Sequence, residues 1–161
     1  MSDHLSKTKI SLIAYGNIAR GDDGAAPVLL NRIEEIQSQI DCQLHLVEDM
    51  QLGPEHAYDL KDVDAVIFLD CDSQCETISF KQLAAQINVH FSSHAQTPET
   101  VMSLHGMLTE SETPPCYQLG IGGDDFELGQ NMSERCHKNL KLAQAHLLSL
   151  LETPVSQWNP L

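Results

Sequence analysis

Val63-Asp64-Ala65-Val66-Ile67-Phe68-Leu69-Asp70 is the stretch that decides the fold. Its apolar run, Ala65 to Leu69, leaves neither face of a strand polar, as expected in the middle of a mainly parallel sheet. Upstream, Ile10 to Tyr15 reads as a first strand ended by Gly16-Asn17, and Gln43 to Val47 as a short second one. Between them Leu29, Ile33, Ile36 and Ile40 fall at helical spacing, with Pro27 suited to the first turn. Gly53-Pro54-Glu55 opens a brief helical segment through Leu60. Downstream, Thr77 to Leu83 is ambiguous and fits an edge strand. A helix starts near Pro98, with Val101, Leu104, His105 and Leu108 on one face. Cys116 to Ile121 is the last strand, and Ser133 is an N-cap for a long final helix carrying Leu140, Ala143, Leu147 and Leu151. The expected fold is α/β: a single-domain three-layer sandwich over residues 1–161, with about five strands and helices on both faces. Residues 153–161, which include Pro154 and Pro160, are expected to form a loose tail.

Composition narrows the function. The 161 residues include 23 acidic against 9 basic side chains, a formal net charge of −14. That balance disfavours nucleic acid and anionic membrane surfaces, which need clustered Lys and Arg, and suits a basic partner or a cation. No apolar run approaches the roughly 20 residues that span a bilayer. The start, Met1-Ser2-Asp3-His4, carries no charged-then-apolar signal pattern, so a cytoplasmic location is expected. Five scattered cysteines with no C-x-x-C pair fit reduced, mostly buried thiols rather than a disulfide framework or a zinc knuckle.

In such sheets ligands bind beyond the carboxyl ends of the strands, and three polar clusters fall there. Gly16 to Gly24 follows the first strand and ends in the pair Asp22-Asp23 before a helix; one of the two can serve as a helix cap. It is no phosphate loop, because it lacks Lys and its carboxylates repel phosphate. Asp70 closes the central strand, where a charge is costly unless paired or coordinated. Asp72 reads as a solvated loop residue. Ser92-Ser93-His94 is the third cluster, and His105, within an apolar helical pattern, reads as core. Two carboxylates and an imidazole make an open site for a borderline divalent ion. Without H-E-x-x-H or clustered His and Cys, a metal met only transiently is expected, with no tightly bound cofactor.

The chain resembles the hydrogenase maturation endopeptidases, the nickel-dependent processing proteases of nickel–iron hydrogenase large subunits. The resemblance runs in matching order through Gly16-Asn17 with Arg20-Gly21-Asp22-Asp23-Gly24, then Gln51-Leu52-Gly53-Pro54-Glu55, then Val66 to Asp70. It continues through Ser93-His94 with Pro98-Glu99, Gly120-Ile121-Gly122, and Phe126-Glu127-Leu128-Gly129. It implies that Asp23, Asp70 and His94 contact the metal, favouring His94 over His105, and that Asp23 and Asp70 are the catalytic acids of an aspartic-type peptidase. It also implies the reaction: removal of the C-terminal extension from a large-subunit precursor after nickel insertion, with the nickel carried by the substrate. A monomer is expected, although the sequence itself does not give the oligomeric state. Two positions depart from the family pattern, Cys71 after the central acid and Ala26 near the helix start, and neither removes a proposed ligand. Cys71 is also a candidate soft ligand.

Two rivals remain at this stage. A non-catalytic nickel chaperone would use the same ligands without cutting. A receiver-like signalling domain shares the acid pair and the central Asp. It needs a Lys near the last strand, however, and no Lys or Arg occurs between Lys81 and Arg135.

Overall fold

A computed structural model describes residues 6–86 and 95–161. Five strands, β1 (Lys9–Tyr15), β2 (Gln43–Asp49), β3 (Ala65–Asp72), β4 (Ile78–Gln82) and β5 (Cys116–Gly122), form one sheet in the order β2-β1-β3-β5-β4. The first four in that order are parallel, and β4 runs antiparallel along β5. The ambiguous stretch is therefore an edge strand, as expected. Its reversed direction departs from the all-parallel order of receiver-type domains and removes that reading.

Alternation along the strands divides the core in two. Leu12, Ala14, Ile67, Leu69, Leu119 and Ile121 point to one face, where α1 (Ala25–Ile36) and α3 (Glu134–Leu151) cover them. Ile13, Val66, Phe68 and Cys116 point to the other, under α2 (Pro98–Thr109) and the 3-10 run Pro54–Leu60. Every residue from Ala65 to Leu69 is fully buried, so the central strand has no solvated face. Both helix starts near proline or serine follow local chemistry. Thr97 caps α2 ahead of Pro98, and the Ser133 hydroxyl accepts the Cys136 N–H at 3.1 Å at the head of α3. No helix among the described residues is long and apolar enough to cross a membrane.

Three expectations change. The central strand continues past Asp70 to Asp72, because β5 goes on pairing with it after β1 has stopped at Leu69. Asp72 is thus the last strand residue, with its carboxylate accepting the Gln74 N–H at 2.8 Å, rather than a free loop side chain. Leu108 is 51% exposed, because the buried face of α2 ends at His105. The C-terminal tail is not loose. Trp158 is buried against Phe80 and Tyr117, its indole N–H donates to the Leu150 and Thr153 carbonyls, and Leu161 N–H reaches Phe80 O at 2.9 Å. A large ring with a satisfied N–H outweighs the chain-breaking effect of the flanking prolines. Trp158→Ala should cost about 3 kcal/mol of stability in urea unfolding; a loss under about 0.5 kcal/mol would mean that the tail contributes little.

Candidate active site

The turn after β1 is built around Gly16. Its φ of +149° lies where side chains are strained, and a Cβ there would collide with the Asp23 backbone carbonyl. That close approach folds the loop back so that the Asn17 N–H donates to Asp23 Oδ2 at 2.7 Å. Asp23 is half-buried and caps no helix: α1 begins after Gly24 without a side-chain cap.

Asp70 stands where β1 has ended its ladder with β3, on the face under α2. Tyr15, the last residue of β1, donates its hydroxyl to Asp70 Oδ2 at 3.1 Å, and the Gln118 amide of β5 donates to the Tyr15 oxygen at 3.2 Å. Burial pushes the Asp70 carboxyl up to about 7, against the Tyr15 hydrogen bond, and the nearby charge of Asp23 raises it further. Tyr15 is itself pushed up, by burial first and then by the Asp70 charge, so it remains a proton donor at all working pH values. The two acids expected from sequence therefore share one electrostatic neighbourhood at the carboxyl edge of the sheet. His94, the third expected contact, lies outside the described residues.

Asp22 has a different job from its neighbour. It is fully buried, and its carboxylate accepts four hydrogen bonds: from Ser133 N (2.6 Å), Ser133 Oγ (2.8 Å), Asp124 N (2.9 Å) and Asp125 N (3.2 Å). It ties the loop after β5 to the head of α3, so the helix it supports is α3 and not the α1 that follows it in sequence. Burial alone would raise its pKa, but the donors from Asp124, Ser133 and Asp125 outweigh that and hold it below the usual carboxylate range. A depressed pKa stabilises the fold above the unfolded value, near 3.9, and that contribution is lost as pH falls through the folded value. Asparagine cannot substitute, since either orientation sets its NH2 against N–H or O–H donors. Asp22→Asn should therefore cost about 3 kcal/mol at pH 7, with the deficit shrinking below pH 4 in urea titrations. An undiminished deficit at pH 3 would contradict the account.

Cys71 points away from Asp70, to the face under α1 and α3, beside Asp22 and Cys136, and is not placed to add a soft ligand beside Asp70. His105 is buried, with Nδ1 3.1 Å from Thr113 Oγ1, as its apolar pattern implied. Sequence reasoning missed Tyr15 and Gln118. A tyrosine closing a strand of small and aliphatic residues was their one signal.

Comparison of the sequence with protein-family models and with curated proteins found no match. Solved structures do share the fold over nearly the whole chain. A nickel–iron hydrogenase maturation protease, HycI, from Thermococcus kodakarensis superposes with a TM-score of 0.66 at 20% identity, covering 92% of this chain and 96% of that one. The hydrogenase maturating endopeptidase HybD from E. coli gives 0.69 at 14% identity, over 96% and 97%. A hydrogenase 2 maturation peptidase from a Thaumarchaeota archaeon gives 0.62 at 17% identity, over 89% and 98%. The α/β fold expected from sequence is thus the fold of these proteases.

Proposed function

We propose that the chain is a hydrogenase maturation endopeptidase, which removes the C-terminal extension of a nickel–iron hydrogenase large-subunit precursor once nickel has been inserted. What supports this most is the coincidence of two independent facts. The fold is shared over more than nine-tenths of the chain with proteins of that activity, and the charge of Asp23 acts on Asp70 at the sheet edge where such folds bind ligands.

In this reading the precursor's nickel is part of the substrate, and Asp23, Asp70 and His94 are its contacts on the enzyme. Carboxylate and imidazole suit a borderline ion whose other ligands come from the precursor. The protein brings no tightly held metal of its own and works as a monomer in the cytoplasm. Hydrolysis needs a water that attacks the scissile carbonyl carbon, an acceptor for its proton, and a donor for the departing amine. Either Asp23 or Asp70 fills the proton role, while the substrate's metal polarises the carbonyl or the water. Tyr15 fixes the orientation of Asp70 through its hydroxyl.

Incubation of the purified protein with nickel-loaded precursor, followed by mass spectrometry of the large subunit, tests the reading. Loss of a C-terminal peptide is the expected outcome. Stable binding of the precursor without shortening would make the protein a nickel chaperone instead.

A further inference from the structure

Gln118 is an amide in a strand otherwise made of cysteine, tyrosine, glycine and aliphatic residues. That strand lies inside the sheet, between β3 and β4, and a polar group half-buried there costs free energy unless it is hydrogen-bonded. We infer that Gln118 is a positioning residue for the reaction at Asp70: its amide holds the Tyr15 hydroxyl in the one direction that serves the Asp70 carboxylate. That Asp70 handles substrate rests on the peptidase reading; the hydrogen-bond chain does not.

Strand register brings the three side chains to one face. Phe68 pairs with Gln118 and Asp70 with Gly120, so Gln118 shares the face of Asp70 from two residues earlier in its strand. The β5 position directly beside Asp70 carries no side chain. Ile13 pairs with Phe68, which puts Tyr15, two residues on, on that face as well. Strand β3 separates β1 from β5, a spacing of about 10 Å for two strand intervals. Tyrosine and glutamine are both long enough for their ends to meet over β3. Gln118 Nε2 lies 3.2 Å from the Tyr15 oxygen, and that oxygen lies 3.1 Å from Asp70 Oδ2.

The direction of the chain follows from its charged end. An ionised carboxylate only accepts, so the single Tyr15 proton goes to Asp70 and the Tyr15 oxygen is left as an acceptor. Gln118 must then present its NH2, since its carbonyl would set acceptor against acceptor. All three groups agree on one arrangement. Without the amide, the hydroxyl could turn between Asp70 and water. With the amide on its oxygen, turning away forfeits a hydrogen bond, and each bond of the chain strengthens the next. Asp70 is thereby set from both neighbouring strands before substrate arrives. Such placement matters steeply, because a shift of about 1 Å can cost roughly a hundredfold in rate. An aliphatic side chain at position 118 would fill the space without fixing the proton.

A double-variant cycle with two readouts tests the inference. On nickel-loaded precursor at pH 8, Tyr15→Phe should lower kcat at least about tenfold with KM within about threefold of wild type. Gln118→Met, similar in length but without a donor, should lower kcat about threefold. Added to Tyr15→Phe it should change nothing further, because its effect travels through the hydroxyl. The second readout needs no precursor: the carbon-13 resonance of the Asp70 carboxylate in the free protein at pH 9. Tyr15→Phe and Gln118→Met should each move it, and Gln118→Met should leave it in place once the hydroxyl is gone. Precursor left intact by the wild type would sink the peptidase reading alone, and the carboxylate resonance would then decide on the chain. Equal effects of Gln118→Met with and without the Tyr15 hydroxyl, in either readout, would make the glutamine a packing residue and overturn the inference. So would an Asp70 resonance, or a kcat, that Gln118→Met leaves unchanged.

Discussion

Asp70→Asn is expected to stop precursor processing and, at pH 8, to raise the melting temperature of the free protein. Both results come from one feature: a half-buried carboxyl pushed up to about 7 by its surroundings. A group whose folded pKa is raised supports the fold fully below its unfolded value, near 3.9, and loses that support as pH rises through the folded value. At pH 8 the wild type therefore holds a charge that the fold disfavours, and at pH 4 it does not. A carboxyl moved from its ordinary range to about 7 corresponds to about 4 kcal/mol at most. Residual solvent and the Tyr15 hydrogen bond reduce this, so about 2 kcal/mol is the expected gain at pH 8. Asparagine keeps an oxygen for the Tyr15 hydroxyl, so geometry survives while the charge and the proton-accepting role go. Melting curves of both proteins at pH 4 and pH 8 check the linkage: they should converge at the lower pH. A variant less stable than wild type at pH 8 would show that the charge at Asp70 is favoured by the fold after all.

Asp23→Asn should reduce processing by at least about a hundredfold with stability within about 0.5 kcal/mol of wild type. The side chain is half-buried, and among the described residues its carboxylate accepts the Asn17 N–H, which an asparagine oxygen accepts as well. Its neighbour gives the opposite profile, since Asp22→Asn strikes four buried hydrogen bonds and therefore stability first. Assaying the pair side by side separates a residue that handles substrate from one that holds the loop after β5. If Asp23→Asn processed the precursor at the wild-type rate, the metal-contacting role would have to leave this acid.

That contrast also marks how much the sequence could reveal. A run of five apolar residues cannot be half-solvated, so the burial of Ala65 to Leu69, and with it the parallel sheet, was legible at once. The carboxyl-edge position of Asp23 and Asp70 followed from strand order. What separates Asp22 from Asp23 did not. Adjacent residues in a 3-10 turn project about 120° apart, so one carboxylate enters the protein and the other faces the cleft, and nothing in the pair's own composition tells which. The direction of β4 was equally hidden, because five residues on an edge carry no record of their pairing partner. Trp158 was misjudged because its two proline neighbours signal loop. Its burial depends on Phe80 and Tyr117, which lie far away in sequence. The hydrogen bond from Tyr15 to Asp70 likewise spans 55 positions and exists only once β1 and β3 are side by side.

The central claim is that the Asp23–Asp70 cleft recognises nickel already seated in the precursor. The most direct measurement is the cleavage rate of nickel-loaded and nickel-free large-subunit precursor by the same wild-type protein, followed by mass spectrometry in the presence of a chelator for loose metal. The account predicts shortening of the loaded precursor alone, and no shortening of either by Asp70→Asn. Equal cutting of both precursors by the wild type would contradict it.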